Sequence, residues 1–157
     1  MNCYINYLDY LSENLILDEQ PPLLQARSDQ ILGLQKTLSE ELGITLPEPY
    51  SEFLRRANGY NYNGVFFFTV DPSIDLPDLI GENKSLRLQN PTLHDYLVMG
   101  QSGLWYYAFH GPTSTYRALQ VDALDEPYYV FQDFDDCISS ALEETLELLD
   151  EEEEVGQ

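Results

Sequence analysis

Positive charge is scarce in this chain. Seven lysines and arginines stand against 28 aspartates and glutamates in 157 residues, a formal charge of −21. Such a surface repels phosphate backbones and anionic lipid, so neither nucleic acid nor a membrane is expected as a partner. Cysteine is nearly absent. Cys3 and Cys137 cannot build a disulfide framework, and Cys137 reads as a small core residue. Long apolar runs are missing, and none approaches the roughly 20 residues that cross a bilayer. Met1-Asn2-Cys3-Tyr4 shows no basic stretch leading into an apolar one, so no signal peptide is expected and the protein reads as reduced and cytoplasmic.

Catalytic and ligand-binding signals are equally thin. His94 and His110 are the only histidines, and neither has a second ligand three or four residues away. No glycine-rich phosphate loop appears, and no cofactor or metal is expected. Gly100-Gln101-Ser102-Gly103 comes close to a nucleophile elbow, but a strand follows it where the elbow needs a helix. It reads as a hairpin turn. Glu40-Glu41, Asp135-Asp136 and Glu143-Glu144 are acid pairs within single helices. Glycosidase chemistry needs two carboxylates facing each other across a cleft, so these read as solvated faces.

Apolar content is ample. At 43% hydrophobic and 13% aromatic, with 12 tyrosines, the chain can bury a full core and is too apolar to be disordered. The most organised stretch runs from Leu46 to Gly59. Tyr50, Phe53, Leu54 and Ala57 fall on one face of a helix, Pro47 and Pro49 condition its start, and Asn58-Gly59 ends it. Tyr4, Leu8, Leu11 and Leu15 predict an earlier helix near 3–17. Ser28-Asp29 can cap another that carries Ile31, Leu34, Leu38 and Leu42 and stops at Gly43.

The period then changes. Asn61 to Gly64 is turn chemistry, and Val65 to Val70 reads as a buried strand. Leu79, Ile80, Asn83 and Leu86 allow a short helix. Tyr96–Met99 and Leu104–Phe109 flank the Gly-Gln-Ser-Gly turn as a hairpin, and Tyr116–Val121 and Tyr128–Phe131 give two further strands. A last helix starts near Asp133 with Phe134, Ile138, Ala141, Leu142 and Leu149 on its apolar face. An acidic tail, 150–157, ends the chain. Helices, an antiparallel meander, then a helix make one α+β domain over 1–157.

These pieces resemble the SUKH superfamily, named after the fungal Smi/Knr cell-wall-synthesis regulators. The resemblance rests on Leu46-Pro47-x-x-Tyr50-x-x-Phe53-Leu54 followed by Asn58-Gly59, then the aromatic strand Phe66 to Phe68. It continues through Leu86 to Asn90, Tyr96-Leu97-Val98-Met99-Gly100, Tyr106-Tyr107 and Phe131-x-x-Phe134. It covers about residues 29–149, leaving the helix within 1–20 as an addition. It is strongest to a bacterial branch with an Asn-x-x-Leu-Arg helix, here Asn83 to Arg87. Pro49 directly before Tyr50 departs from the pattern and suggests a later helix start.

Bacterial members are mostly thought to be immunity proteins against polymorphic toxins. The resemblance therefore implies a non-enzymatic scaffold that binds another protein, with Tyr50, Phe53 and Leu54 in the core. It carries no contact residues. Contacts are expected instead from aromatics and acids: Trp105, Tyr107 and Tyr128, with Asp122, Asp125 and Glu126. Trp105, Tyr107 and Phe109 alternate along a strand with Leu104, Tyr106 and Ala108, so one set should be core and the other exposed or partly so, unless helices bury both. Residues 118–157 hold 14 of the 28 acids and no lysine or arginine, which fits docking to a basic toxin domain. A regulatory scaffold of the fungal kind and a carboxylate-based hydrolase are the alternatives, and oligomeric state is open.

Overall fold

Near residue 60 the hydrophobic period switches from helical to alternating, and the backbone switches with it. The computed structural model describes residues 3–147. Helices α1 (Tyr4–Leu17), α2 (Ser28–Thr37) and α3 (Glu48–Arg56) come first. Then follow β1 (Tyr60–Tyr62), β2 (Val65–Phe67), α4 (Leu79–Gln89), β3 (Tyr96–Gln101), β4 (Trp105–His110), β5 (Thr115–Gln120), β6 (Ala123–Phe131) and α5 (Phe134–Thr145). The six strands form one sheet in chain order, each antiparallel to the next. This is the expected α+β meander with helices from both ends of the chain.

Aromatic rings join α1, α3 and α5 to one face of the sheet. Phe53 lies 5.7 Å from Tyr4, 5.9 Å from Phe67 and 5.7 Å from Phe134, ring centre to ring centre. Phe134 in turn reaches Tyr116 of β5 at 5.5 Å. Tyr50, Phe53 and Leu54 are completely buried, the core position that the motif implied. Burying a side chain of this size contributes roughly 1.5–3 kcal/mol, so α3 is held by its apolar stripe rather than by local propensity. Gly100 permits the close approach of β2: a Cβ there would lie 2.7 Å from the Phe67 ring and from the Phe66 carbonyl.

Buried polar groups do the registering. Asn83 of α4 lies beside the irregularity in the β3–β4 pairing at Val98–Gly100. Its Oδ1 accepts the Val98 N–H at 2.7 Å, and its Nδ2 donates to the carbonyls of Val98 and Leu79, each at 2.8 Å. The bulge interrupts the ladder, and one amide side chain supplies the partners. Arg87 donates to the carbonyls of Tyr96 and Leu42 from a largely buried position. Asn58 accepts from the N–H of Val70 at 2.9 Å, while its own N–H donates to Leu24 at 2.7 Å.

Several boundaries differ from the sequence reading. Helix α3 starts at Glu48, not later, because Pro47 is its N-cap and Pro49 its second residue, positions whose N–H groups are not needed. It ends at Arg56 with Ala57 already extended, so Asn58-Gly59 is not its cap. Gly59 is required for another reason. Its φ is 84°, and a Cβ would sit 2.9 Å from the Phe67 carbonyl. Ser28 lies inside α2, and Gln30 accepts the Arg27 N–H where Ser28-Asp29 was expected to cap. The last turn of α2 widens into a π-helical stretch, Leu38–Leu42, before Gly43. Asn61 and Tyr62 belong to β1, and only Asn63-Gly64 turn the chain, both at positive φ as a two-residue hairpin requires. Strand β2 stops at Phe67, three residues early, because Thr69 leaves to bridge Asp78 in parallel. Strand β6 starts at Ala123, five residues early. Leu149 and the acidic tail lie outside the described residues.

Within β4 both sets are largely buried, the alternative to one core set and one exposed set, while Leu104 and Trp105 at its start stay exposed and half-buried. Tyr107 and Phe109 are buried towards α5, and Tyr106 and Ala108 are buried on the face that carries α4. The helices flank the sheet on two sides, so alternation along β4 does not separate core from solvent.

Two outcomes test this packing. Asn83→Leu should lower unfolding free energy by about 2–4 kcal/mol in urea titrations, because it strands the Val98 N–H and carbonyl. Burial raises the phenols of Tyr50, Tyr60, Tyr107 and Tyr116 above their ordinary range. The unfolded chain releases these protons near pH ~10 and the native chain does not, so stability should fall as pH rises beyond that point. Each phenol contributes up to about 1.4 kcal/mol per pH unit. Ultraviolet titration should show these tyrosines ionising only as the fold is lost.

Candidate functional site

Helix α5 crosses the sheet diagonally and leaves one corner open. Its first residue, Phe134, packs on Tyr116 of β5. Its last, Thr145, shares a 2.8 Å hydroxyl hydrogen bond with Tyr60 of β1, and its carbonyl accepts from Asn63 Nδ2 at 2.8 Å. Between the departing helix and strands β4 to β6 lies a groove of about 650 Å³.

The sheet wall of the groove is aromatic. Trp105 and Tyr128 lie with ring centres 4.4 Å apart. They meet because the β5–β6 register shifts: Ala118 pairs with Tyr129 while Leu119 pairs with Pro127. Tyr128 is the extra residue of this bulge, and a bulge re-aims its side chain. Tyr128 and Tyr129 consequently both line the groove, with Tyr128 61% exposed. Pro127 is tolerated here because β6 is the edge strand.

The helix wall is acidic. Ser140, Glu143, Glu144 and Glu147 recur at i, i+3, i+4 and i+7, so one face of α5 and its following turn presents three carboxylates. Two are positioned by tyrosines. Tyr7 of α1 donates to Glu143 Oε1 at 2.8 Å, and Tyr107 donates to Glu144 Oε1 at 2.5 Å. Desolvation and the adjacent Glu144 charge hold the Tyr107 phenol well above its ordinary pKa, so it stays a donor. The two ion pairs among the described residues, Arg27–Asp29 and Lys84–Glu41, lie elsewhere, so no described lysine or arginine pairs with this wall. Carboxylates opposite exposed aromatic faces suit a lysine or arginine side chain, which gains from both.

Three of the six expected contact residues come together here. Trp105 and Tyr128 form the aromatic wall. Tyr107 lines the groove, yet it is only 3% exposed and stacks on Phe67. Asp122, in the β5–β6 turn, and Asp125 and Glu126, on β6, are exposed but do not line the groove. Asp125 accepts a hydrogen bond from Thr92. Tyr129, Glu143, Glu144 and Glu147 were not among the expected contacts. The helical spacing of the glutamates was visible in the sequence, but the groove that they face was not.

The other candidates resolve locally. Ser102 Oγ accepts the N–H groups of Leu104 and Trp105 at 3.3 and 3.2 Å, closing the β3–β4 hairpin. His110 bonds Thr113 and packs at a tilt against Tyr96, ring centres 4.8 Å apart; burial, then the nearby Arg117 charge, lower its pKa. His94 is exposed on the turn before β3. Cys137 is buried in α5, where desolvation raises its thiol pKa. Among the described residues, no three histidine, cysteine and carboxylate side chains cluster as a metal site. No described helix is long and apolar enough to cross a membrane.

Comparison with known families agrees with the motif. The SMI1/KNR4 family (SUKH-1) matches residues 28–140, from the start of α2 to the middle of α5. Helix α1 and the three groove glutamates lie beyond the matched residues. No curated protein matches the chain. The match spans most of the chain and includes the Tyr50–Phe53–Leu54 helix, the whole meander and the aromatic groove wall: the chain belongs to the SMI1/KNR4 (SUKH-1) family.

Proposed function

We propose that this protein works by binding a basic region of another protein in the groove between α5 and β6, without catalysis. The observation that carries this reading is the pairing of the Trp105–Tyr128 wall with three glutamates that form no ion pair among the described residues. Aromatic side chains at a groove centre anchor protein interfaces, and uncompensated charge steers the partner's approach. Family membership supports a binding role. We further propose a cytoplasmic immunity protein that neutralises a cognate toxin with a basic domain. A regulatory scaffold uses the same binding chemistry, and the genes beside this one distinguish the two: a large toxin gene favours immunity.

Trp105 is the only tryptophan, so its fluorescence reports the groove directly. Titration with the purified product of a neighbouring toxin gene should shift that emission and give a complex that weakens steeply with salt. Glu147→Lys should weaken the complex by about tenfold or more, mainly through slower association and with a shallower salt dependence, with little change in melting temperature. Complex formation indifferent to salt and to this charge reversal would remove the groove from the interface.

A further inference from the structure

The groove's outer wall is also the last strand of the sheet. Strand β6 pairs only with β5, and its outward N–H and carbonyl groups have no backbone partner among the described residues. An edge in this state is a template for another strand. The first half of β6 is guarded. Asp125 and Glu126 are exposed charges, Asp125 is tied to Thr92, and Pro127 has no N–H to offer. Beyond the bulge at Tyr128, the stretch from Tyr129 to Phe131 carries no charge and no proline, and its Tyr129 and Phe131 border the groove.

We propose that the partner binds as an extended segment that adds to β6 as a seventh strand, with lysine or arginine at alternate positions. The inference rests on the reading of the groove as the binding site and adds the backbone geometry of the occupant. Alternate side chains of an added strand point to the same face, so every second residue projects over the groove towards Glu143 and Glu147. Charge selects the occupant. The groove face is acidic, and residues 118–157 contain no lysine or arginine. A second copy of this chain would bring a further −21 to the same edge, which disfavours self-pairing. Backbone hydrogen bonds then supply affinity, and the glutamates with Trp105 and Tyr128 supply the preference for cations.

The test uses the full chain and a short capped peptide alternating lysine and valine, followed by Trp105 fluorescence at low salt. A second peptide carries N-methyl groups along one backbone edge, leaving its charge unchanged. The unmodified peptide should bind, and the methylated one should bind about tenfold more weakly or worse, the loss of two or three backbone hydrogen bonds. Glu147→Lys should weaken the unmodified peptide as well. Equal, salt-sensitive binding of both peptides would overturn strand addition while leaving the groove reading intact. If neither peptide binds and the partner's complex ignores Glu147→Lys, the groove reading falls and this inference with it. A dimer in sedimentation that the peptide cannot dissociate would place a second copy on the edge and overturn the proposal.

Discussion

The position of α5 depends on anchors at its two ends, and the groove exists because those anchors lie on different strands. At the start of the helix, Phe134 enters a cluster of rings with Tyr4, Tyr50, Phe53 and Tyr116. At its end, Thr145 is bound through its hydroxyl to Tyr60 and through its carbonyl to Asn63. The first anchor is apolar and gains from area removed from water. The second is polar and directional, and its cost if broken is the desolvation of a buried hydroxyl pair. Joined to different strands, they force a diagonal path. A helix lying along β6 would cover Tyr128 and Trp105, and a diagonal one cannot.

Charge and packing reinforce each other at this corner. A helix start favours acids, and Asp133 accepts the Asp136 N–H while Asp135 accepts the Tyr4 N–H. The acids at the far end of α5 have no such backbone role. They are held instead by Tyr7 and Tyr107, whose hydroxyls donate to Glu143 and Glu144. Helix α1, outside the residues that match the family, thereby contributes both to the core and to the placement of a groove carboxylate. It contributes Tyr4 to the ring cluster and Tyr7 to the acidic wall.

Much of the fold was legible because its elements are strongly patterned. The Tyr50–Phe53–Leu54–Ala57 spacing, the hairpin around Ser102 and the two terminal helices are local signals, and the local physics that produces them survives in the folded state. The errors cluster where tertiary contacts override local preference. Thr69 leaves β2 early to bridge Asp78, and Gly59 serves a close backbone approach instead of a helix end. Alternation along β4 left open whether one face or both are covered, and only the placement of the helices decides that both are. Of the expected contacts, Trp105 and Tyr128 reach the groove together, while Asp122, Asp125 and Glu126 lie beside it.

By itself, the sequence determined the α+β order of elements, the identity of the α3 core residues, the family resemblance and the anionic character of the surface. These follow from periodicity, turn chemistry and charge count, which act over a few residues or over the whole chain at once. Only the tertiary structure decided that Trp105 and Tyr128 touch, that Tyr107 turns inward to Glu144, and that the glutamates of α5 face an open corner. Those facts depend on a one-residue register shift in β6 and on the angle of α5, and both are set by contacts between residues far apart in the chain.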